Sequence, residues 1–442
     1  MMSSVVLGIG KTGASCLRYL AKRGVAVSAT DTRAAPPGLA DLGELALRLD
    51  IRVGGFDLSL LDGASQVLIS PGVSLEEPIA RAARARGIEV IGDVELFARA
   101  ARAPVVGITG TNGKSTVTSL VAHLARAQGK RVQAGGNLGE PALDLLEGPT
   151  PDLYVLELSS FQLESTSSLK PLVAAVLNVS ADHLDRYATI TEYARAKQRI
   201  LADAAAVVLN ADDPSVMAMR RKGVPTSTFS IAAADADYML VADGAATHLA
   251  RRGERLLDVA RLKIGGRHNA ANALAALALG EAAGLRLAPM LAALQTFPGL
   301  PHRSQWLRTV DGVRYVDDSK GTNVGATIAA VAGSEGPLLM ILGGLGKGQD
   351  FTPLAAALRG KVRRALLIGA DAARVAAAIA GVCEIERAAS MEEAVAAAAR
   401  AARPGDTVLL SPACASLDMF RDYAARGDAF AAAVRSIAGR PG

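Results

Sequence analysis

The sequence predicts an α/β protein made of three doubly wound units, each a largely parallel sheet covered by helices. Its 442 residues exceed what one hydrophobic core usually holds, and half of them are hydrophobic. Short runs rich in Val, Ile and Leu alternate with Ala-rich runs of helical spacing along the chain. Polar residues and glycines gather where the strand-like runs end, which is where α/β folds bind their ligands.

The composition narrows the class of protein. The formal net charge is +5, but the basic residues are scattered as short pairs, and only 4% of residues are aromatic. Because single-stranded nucleic acids bind on aromatic platforms, we expect no nucleic-acid partner. Three widely spaced cysteines (Cys16, Cys383, Cys414) argue against a disulfide framework. The sequence has no leader-like or membrane-spanning run, so we expect a cytoplasmic protein with no membrane partner.

The first unit begins with a glycine-rich turn. A strand over residues 5–7 leads into Gly8-x-Gly10-x-x-Gly13, and a second strand, Val25 to Thr30, ends at Asp31. This pattern is typical of dinucleotide binding, with the acid placed to accept a hydrogen bond from a ribose hydroxyl. A nucleotide-sugar diphosphate contains a pyrophosphate, as NAD does, and a glycine-rich turn can bind either one. The glycines therefore leave two classes open, an NAD(P)-dependent oxidoreductase and a nucleotide-sugar-binding protein.

The second unit opens with a stretch that indicates a phosphate-binding loop. An apolar run from Val105 to Ile108 predicts a buried strand, and it leads into Gly110-Thr-Asn-Gly-Lys-Ser-Thr116 at the start of a helix. The glycines let backbone N–H groups face an anion, the lysine reaches terminal phosphates, and a hydroxyl can ligate Mg²⁺. Ile108 stands where the strict pattern has its first glycine, and Gly107 lies one position too early.

Two further strands of this unit end at polar residues. Glu157 lies near the end of an apolar strand, where a phosphate-loop protein places a second Mg²⁺ ligand. A strand from Val173 to Val179 is followed by Asp182-His183-Leu-Asp185, and a histidine beside acids at a strand end is either structural or a metal ligand. On composition alone, Lys197 is a surface lysine.

A long helix and a linker complete the second unit. His268 or Asn269 is the predicted cap of the helix. The segment Phe297-Pro-Gly-Leu-Pro301 predicts the linker, and beyond it strands and helices alternate again, as in a third α/β unit. The polar clusters of that unit also follow strands: Asp317-Asp-Ser-Lys-Gly-Thr-Asn323, Gly343-Gly-Leu-Gly-Lys347 and Ser411-Pro-Ala-Cys-Ala-Ser416.

The ordered motifs resemble those of the Mur ligases of peptidoglycan synthesis, and the resemblance covers essentially the whole chain. Eight motifs in order are far more specific than any one of them. Folylpolyglutamate synthases share the ATP loop and the ligase chemistry, but Gly10-Lys-Thr-Gly13 and the cluster around Cys414 favour the muramoyl branch. Besides the phosphate loop, the Asp317-to-Asn323 cluster and the segment from Leu410 to Asp418, the matching motifs are Gly136-Asn-Leu-Gly139, Leu156-Glu-Leu-Ser-Ser-Phe-Gln162, Asn178-Val-Ser-Ala-Asp-His183, His268-Asn-Ala-Ala-Asn272 and His302-Arg303.

The resemblance implies the three-domain Mur ligase architecture. Its parts would be a Rossmann-like UDP-substrate domain (1–92), a P-loop ATPase domain (93–299) and a Rossmann-like amino-acid-binding domain (300–442). The implied enzyme is an ATP-dependent acid–amino-acid ligase that adds D-glutamate to UDP-N-acetylmuramoyl-L-alanine through an acyl phosphate. A related ligase with another amino acid, such as L-glutamate, is the alternative. The expected partners are these small molecules with ATP and Mg²⁺, and the expected state is a monomer.

The resemblance also assigns roles to individual residues of the central unit. The implied catalytic residues are Lys114, Glu157, His183, Lys197 and Arg303. Two Mg²⁺ ions are implied, one at Ser115 and Glu157, and one at His183 and a carbamate formed on Lys197. The implied ATP contacts are Gly110, Thr111, Asn112, Gly113, Lys114, Ser115, Thr116, Asn269, Asn272, Arg303 and Asp318.

The two remaining substrate sites are assigned by the same resemblance. Three positions depart from the family pattern, since relatives usually carry an acid at Leu345, commonly Ala at Gly321, and Phe at Tyr423. The residues implied to hold the UDP-muramoyl substrate are Lys11, Thr12, Asp31, Thr32, Arg33 and Asn137. Those implied for the amino-acid pocket, where lysines and hydroxyls would pair with carboxylates, are Lys320, Thr322, Lys347, Ser416, Leu417 and Tyr423.

Overall fold

Three sheets follow one another along the chain. They belong to a computed structural model that describes residues 3–183, 186–334 and 336–437. The sheets contain five, nine and six strands and lie within residues 3–91, 105–258 and 305–410. The prediction of an α/β chain with three successive units is confirmed.

The first sheet is parallel throughout, as in a doubly wound fold. Two 3₁₀ segments, Pro37–Arg48 and Leu58–Leu61, connect its strands. The regular elements are β1 (Ser3–Leu7), α1 (Lys11–Lys22), β2 (Ala26–Asp31), β3 (Asp50–Val53), β4 (Gln66–Ile69), α2 (Pro78–Ala85), β5 (Glu89–Ile91) and α3 (Asp93–Ala100), with the strands in the order β3-β2-β1-β4-β5.

Strand β1 lies in the middle of the first sheet, so its apolar side chains are covered on both faces. Val5, Val6 and Leu7 are fully buried. The turn after β1 needs a glycine at the start of α1, since a Cβ at Gly13 would lie 2.0 Å from the carbonyl oxygen of Gly8. The glycine motif therefore has a packing reason in this chain, whatever ligand the turn binds.

The second unit holds the phosphate loop and the largest sheet. Short 3₁₀ segments occur at Asp144–Leu146, Arg199–Leu201 and Val259–Arg261. Its other elements are β6 (Val105–Thr109), α4 (Lys114–Arg126), β7 (Val132–Gly136), β8 (Leu153–Glu157), α5 (Ser160–Glu164), β9 (Val173–Val176), α6 (Ile190–Gln198), β10 (Ala206–Asn210), α7 (Pro214–Met217), β11 (Thr226–Phe229), β12 (Tyr238–Asp243), β13 (Ala246–Arg251), β14 (Glu254–Asp258), α8 (Arg267–Ala282) and α9 (Leu287–Leu294).

Strand β6 lies between β8 and β9 in this sheet, whose order is β14-β13-β12-β11-β10-β9-β6-β8-β7. The strands from β7 to β12 pair in parallel, and β12, β13 and β14 form an antiparallel meander. Helices α4 and α8 join the strands in one apolar core. Because parallel strands end at one edge of the sheet, the residues that follow β6, β8 and β9 meet there.

The third unit is a six-stranded sheet with one antiparallel edge strand. Its elements are β15 (Gln305–Val310), β16 (Val313–Asp317), α10 (Val324–Gly333), β17 (Leu338–Gly343), α11 (Thr352–Leu358), β18 (Val362–Ile368), α12 (Ala372–Ala378), β19 (Glu384–Arg387), α13 (Met391–Ala401), β20 (Thr407–Leu410) and α14 (Tyr423–Arg435). The strand order is β15-β16-β20-β17-β18-β19, and only the β15 and β16 pair is antiparallel among these pairs. The polar clusters again follow β16, β17 and β20.

Two local predictions are wrong. Strand β9 ends at Val176 rather than at Val179. Helix α8 starts after Gly266, and no side chain caps it, so neither His268 nor Asn269 is its cap. Both residues lie in the first turn, and Asn269 Nδ2 donates to the Gly265 carbonyl oxygen at 2.8 Å. Across the residues described, none of the helices is long and apolar enough to span a membrane.

Candidate active site

The phosphate loop connects β6 to α4, with Gly113 just before the helix. Gly113 has a φ of +82°, which favours glycine, and a Cβ there would lie 2.6 Å from Asn272 Oδ1. Lys114 folds back and donates to the Gly110 carbonyl oxygen at 2.8 Å. Burial lowers the pKa of Lys114, and the Glu157 carboxylate partly opposes that shift. The loop therefore presents a lysine and a helix N-terminus to an anion.

A carboxylate with one unpaired oxygen lies at the end of β8. Glu157 is 2% exposed, and its Oε1 accepts a hydrogen bond from Asn137 Nδ2 at 2.6 Å. Its Oε2 is buried without a hydrogen-bond partner among the described residues. An unpaired buried carboxylate oxygen is costly, so this arrangement fits a bound cation. Nearby, the Ser115 hydroxyl accepts a hydrogen bond from Arg303 at 2.5 Å.

Lys197 is buried, so its assignment to the surface is wrong. Helix α6 places it in the interior, where it is 1% exposed. Its Nζ donates to the Gly110 carbonyl oxygen at 2.8 Å and lies 4.3 Å from the centre of the Tyr193 ring. Burial lowers the pKa of Lys197 well below its ordinary value, and the Lys114 cation adds to the shift. Since CO₂ adds to an uncharged amine, this environment fits a carbamate.

His183 packs against the same aromatic group as Lys197. Its ring centre lies 4.9 Å from that of Phe161 and 6.3 Å from that of Tyr193. Its Nε2 lies 3.8 Å from Asp182 Oδ2. The φ of His183 is +54°, a conformation that is uncommon outside glycine and that occurs at functional sites. The structure therefore brings the two predicted ligands of the second cation to one aromatic cluster.

A metal site here would need ligands other than a cluster of acids and histidines. Within the described ranges, no group of three or more His, Cys, Asp or Glu side chains is placed to hold a metal ion. Asp185, which the sequence groups with His183, lies outside those ranges. The free oxygen of Glu157 and the Ser115 hydroxyl could provide one pair of ligands, and a carbamate on Lys197 would provide further oxygens.

A cavity of about 380 Å³ lies beside the loop, between the second and third units. Within its wall, Asn272 Nδ2 donates to Asn269 Oδ1 at 3.1 Å. The predicted ATP contacts that line the cavity are Asn112, Gly113, Thr116, Asn269, Asn272, Arg303 and Asp318. The predicted contacts that form the adjoining loop instead are Gly110, Thr111, Lys114 and Ser115.

Buried Asp318 and half-buried His268 add two ionisable groups to this cavity. Asp318 accepts hydrogen bonds from the Ser304 N–H at 3.0 Å and from the Ser411 hydroxyl at 2.8 Å, and burial raises its pKa to about 6. Burial lowers the pKa of His268, whose Nδ1 has no hydrogen-bond partner in the part of the chain described. The sequence analysis named His268 as a possible cap and as the start of a family motif, but it assigned no ligand contact to this residue.

A second cavity, of about 550 Å³, lies at the carboxyl edge of the first sheet. Lys11 connects the first unit to the second there, since its Nζ donates to the Gly139 carbonyl oxygen at 2.6 Å. Asn137 both lines this cavity and donates to Glu157, so one side chain links the cavity to that carboxylate. All the predicted UDP-substrate contacts line it: Lys11, Thr12, Asp31, Thr32, Arg33 and Asn137.

Asp31 orients its neighbour Arg33 rather than presenting free oxygens. Its Oδ2 accepts hydrogen bonds from the Ile9 N–H and from Arg33 Nη2, each at 2.6 Å, and its Oδ1 accepts from the Arg33 N–H at 2.8 Å. Burial would raise the pKa of Asp31, but these hydrogen bonds outweigh it and lower the pKa overall. The carboxylate therefore stays ionised and holds Arg33 at the cavity.

The third unit contributes Lys320 to the cavity beside the phosphate loop. Its Nζ lies 3.8 Å from the centre of the Tyr423 ring. Burial lowers the pKa of Lys320 to about 8, and the Arg303 cation adds to the shift. The Thr322 N–H donates to the Lys320 carbonyl oxygen at 2.8 Å, whereas Leu417 is 64% exposed. At neutral pH Lys320 is mostly charged, so it is suited to a carboxylate.

A backbone bridge joins the loop that carries Lys347 to the segment that carries Ser416. Leu345 and Ala415 exchange two hydrogen bonds, each 2.9 Å long. Leu345 is 38% exposed at the position where the family pattern has an acid. Because backbone atoms form the bridge, the loop keeps its place without that acid.

The sequence analysis assigned no role to two groups in this unit, the pair of His302 with Asp317 and the side chain of Arg426. His302 Nδ1 lies 2.7 Å from Asp317 Oδ2, and both residues are largely buried. Arg426 is 1% exposed and donates to the carbonyl oxygens of Ser319 at 2.8 Å and Cys414 at 3.0 Å. It therefore ties together two of the polar clusters. Its position within α14 resembles that of an ordinary surface arginine, so the sequence carried no signal for it.

Comparison with known proteins decides the family. The models that match are "Mur ligase MurD-like, N-terminal domain" over residues 2–92, "Mur ligase middle domain" over 108–280, and "Mur ligase, glutamate ligase domain" over 302–414. The UDP-N-acetylmuramoylalanine-D-glutamate ligase of Nitrosococcus oceani is 54% identical over 438 residues, which cover 98% of this chain and 97% of the relative. The chain belongs to the Mur ligase family.

Two further comparisons are consistent with this family assignment. The UDP-N-acetylmuramoylalanine-D-glutamate ligase of Pseudomonas savastanoi pv. phaseolicola is 48% identical over 438 residues, 98% of each chain. The UDP-N-acetylmuramate-alanine ligase structure from Thermotoga maritima shares the fold, with a TM-score of 0.63, 21% identity, and coverage of 99% of this chain and 100% of that one. The family assignment confirms the resemblance and decides against the oxidoreductase alternative.

Proposed function

We propose that this Mur ligase joins D-glutamate to UDP-N-acetylmuramoyl-L-alanine in peptidoglycan synthesis, at the expense of ATP. Relatives named as D-glutamate ligases are 54% and 48% identical to it over nearly their whole length. The observation that carries the proposal is the convergence of Lys114 and Lys197 on Gly110, near the unpaired oxygen of Glu157. Such a site suits a triphosphate and its metal ions.

The proposed domains are residues 1–92 for the UDP substrate, 93–299 for ATP and 300–442 for the amino acid. The cavity in the first unit would hold the UDP portion, with the six residues that line it as contacts. The cavity between the second and third units would hold ATP. Asn137 supports this arrangement because it touches both the first cavity and Glu157, where the reacting carboxylate must arrive.

Two Mg²⁺ ions fit the residues present. Ser115 and Glu157 would hold one, which would satisfy the unpaired Oε2 of Glu157. His183 and Lys197, as a carbamate, would hold the other, and the lowered pKa of Lys197 supports that modification. When bound, the ions would neutralise charge on the phosphate oxygens.

In the first step, the carboxylate of the UDP substrate attacks the γ-phosphorus of ATP, and the bond to ADP breaks. The product is an acyl phosphate. Both reactants are anions, so the cationic groups of Lys114 and Arg303 must offset their repulsion. Arg303 is held toward the loop by its hydrogen bond to Ser115.

In the second step, the amine of D-glutamate attacks the acyl carbon and forms a tetrahedral intermediate. Phosphate then leaves, and the nitrogen loses a proton to give the amide. Lys320, which is mostly charged because its pKa is about 8, would pair with a carboxylate of the amino acid. The other proposed contacts of the amino acid are Thr322, Lys347, Ser416, Leu417 and Tyr423.

An amino-acid panel tests this proposal directly. The purified chain is incubated with ATP, Mg²⁺ and UDP-N-acetylmuramoyl-L-alanine, and ADP release is measured with D-glutamate, L-glutamate, D-aspartate, L-alanine and no amino acid. We expect D-glutamate to give the highest kcat/KM by at least about a hundredfold. Higher activity with another amino acid would assign this ligase to a different step, and no ADP release with any of them would contradict the proposed reaction.

A further inference from the structure

The side chain of Asn323 joins the third unit to the second. Asn323 is 4% exposed and immediately precedes α10. Its Oδ1 accepts a hydrogen bond from the Ala326 N–H at 2.8 Å, which caps the helix. Its Nδ2 donates to Asn112 Oδ1 and to Asp182 Oδ2, each at 3.2 Å. One amide therefore caps a helix of the third unit and also binds two segments of the second.

Both acceptors belong to segments of the proposed reaction centre. Asn112 is part of the phosphate loop, and its N–H donates to Asn178 Oδ1 at 2.8 Å. In return, Asn178 Nδ2 donates to the Asn112 carbonyl oxygen at 3.1 Å. Asp182 Oδ1 accepts from the His183 N–H at 2.9 Å. A chain of hydrogen bonds thus runs from the residues after β9, through the loop, to the start of α10.

The two units approach closely beside this chain. A Cβ at Gly325 would lie 3.2 Å from Ser180 Oγ, which is tighter than an ordinary contact. Gly325 and Ala326 line the cavity of about 380 Å³ together with Asn112. The contact of Asn323 therefore lies at the wall of the proposed ATP cavity.

The loop that ends at Asn323 also carries residues proposed for both small substrates. Asp318 lines the ATP cavity, and Lys320 and Thr322 are proposed amino-acid contacts. Strand β16 fixes the beginning of this loop, and Asn323 fixes its end. The end of the loop that carries the proposed amino-acid contacts is therefore hydrogen-bonded directly to the phosphate loop.

We propose that Asn323 is a positioning residue that couples nucleotide binding at the phosphate loop to the affinity for the amino acid. The inference rests on the proposed function. Capping α10 does not by itself require this residue, because Ser and Asp cap helices about as well as Asn. The part that they lack is the pair of amide hydrogens that reaches Asn112 and Asp182.

The first test uses Asn323→Ser, which keeps the cap and removes both donors. We expect a thermal midpoint within about 2 °C of the original protein. The KM for D-glutamate should rise about tenfold, with a smaller change in kcat. In the original protein, rising ATP should lower the KM for D-glutamate, and this dependence should weaken in the variant. An unchanged KM with an unchanged ATP dependence would overturn the proposal.

A charge swap tests the direction of the hydrogen bond. Asn323→Asp keeps the cap but faces Asp182 with a second carboxylate, so the KM for D-glutamate should rise further. Adding Asp182→Asn restores a hydrogen bond with its direction reversed. The amide at position 182 then donates, and the carboxylate at position 323 accepts. The double variant should recover to within about threefold of Asp182→Asn alone, the control for any effect on His183. A double variant as impaired as Asn323→Asp would overturn the coupling.

The same assays separate the two proposals. If the original protein releases no phosphate with D-glutamate, the proposed function fails and the coupling fails with it. If the original protein is active and the Asn323→Ser variant matches it in every constant, only the coupling fails.

Discussion

Lys114 and Lys197 donate to the same acceptor, the carbonyl oxygen of Gly110, each at 2.8 Å. They come from different helices, α4 and α6, and meet where β6 ends. Burial is the larger cause of the lowered pKa of Lys197, and the neighbouring Lys114 cation adds to it because two ammonium groups this close repel each other. The pair is best tolerated when Lys197 is uncharged or modified, or when anions enter the site.

The first prediction concerns the modified lysine. Replacing Lys197 with Ala should lower phosphate release more than about a hundredfold, because the oxygens of the proposed carbamate are lost. Millimolar formate or acetate should restore part of the activity by supplying a carboxylate at the vacated position. The original protein, assayed with the same acids, is the control. Full activity of the alanine variant without added acid would refute the assigned role.

The second prediction separates ATP chemistry from substrate docking. Lys114→Ala should reduce phosphate release by at least about a hundredfold, since the cation that offsets phosphate repulsion is gone. The affinity for the UDP substrate, measured by calorimetry, should change less than about twofold, because that cavity lies on the first unit. Exposed Lys130 provides the matched control, and its Ala variant should behave like the original. Equal losses of activity and of UDP-substrate binding would contradict this division.

The sequence predicted the site where its residues are adjacent in the chain. Gly110 to Thr116 form one turn, and Glu157 follows a strand whose apolar pattern is evident, so strand order alone brings them to one edge. The first glycine turn was also predicted correctly as a turn, but its glycines could not distinguish a dinucleotide from a nucleotide sugar. The family assignment was needed for that.

Contacts between segments that are distant in the chain could not be predicted from the sequence. Lys197 lies 87 residues from its acceptor Gly110, and nothing in the composition of α6 marks it as buried. The bond from Asn323 to Asn112 spans 211 residues. His268 or Asn269 was predicted as a cap because both stand at the start of the helical run, yet the helix already begins at Arg267, after Gly266. Burial of polar side chains depends on tertiary packing, which local pattern does not encode.

The third prediction concerns the partner of Glu157. Asn137→Ala removes the hydrogen bond to Oε1 and leaves the carboxylate less firmly oriented. The Mg²⁺ concentration needed for half-maximal phosphate release should rise about 10- to 100-fold. At saturating Mg²⁺ and UDP substrate, most of the activity should return. Glu157→Gln is the matched comparison, and excess Mg²⁺ should not rescue it. Failure of excess Mg²⁺ to rescue the Asn137 variant would contradict an orienting role.

Asp93 is a buried acid outside the reaction centre. It is 1% exposed, its Oδ2 accepts from Gln162 Nε2 at 3.3 Å, and its Oδ1 has no hydrogen-bond partner in the described chain. Burial raises its pKa from 3.8 to about 6. The folded protein therefore binds more protons than the unfolded chain between these values. The free energy of unfolding contributed by Asp93 is highest below pH 3.8, falls as the pH rises through about 6, and then levels off.

The fourth prediction follows from this loss of stability as the pH rises. Asp93→Asn keeps an oxygen for Gln162 and removes the buried charge, so it should raise the thermal midpoint at pH 8 by about 2–4 °C. At pH 4.5 Asp93 is mostly protonated in the folded protein but mostly ionised in the unfolded chain, so the midpoint difference should shrink to about a third of its value at pH 8. Calorimetric scans of both proteins at several pH values between 4.5 and 8 measure the difference. The other acids titrate in the same way in both proteins, so their effects on the thermal midpoint cancel in the difference. A midpoint difference that is the same at both ends of the range would show that Asp93 does not carry the shifted proton.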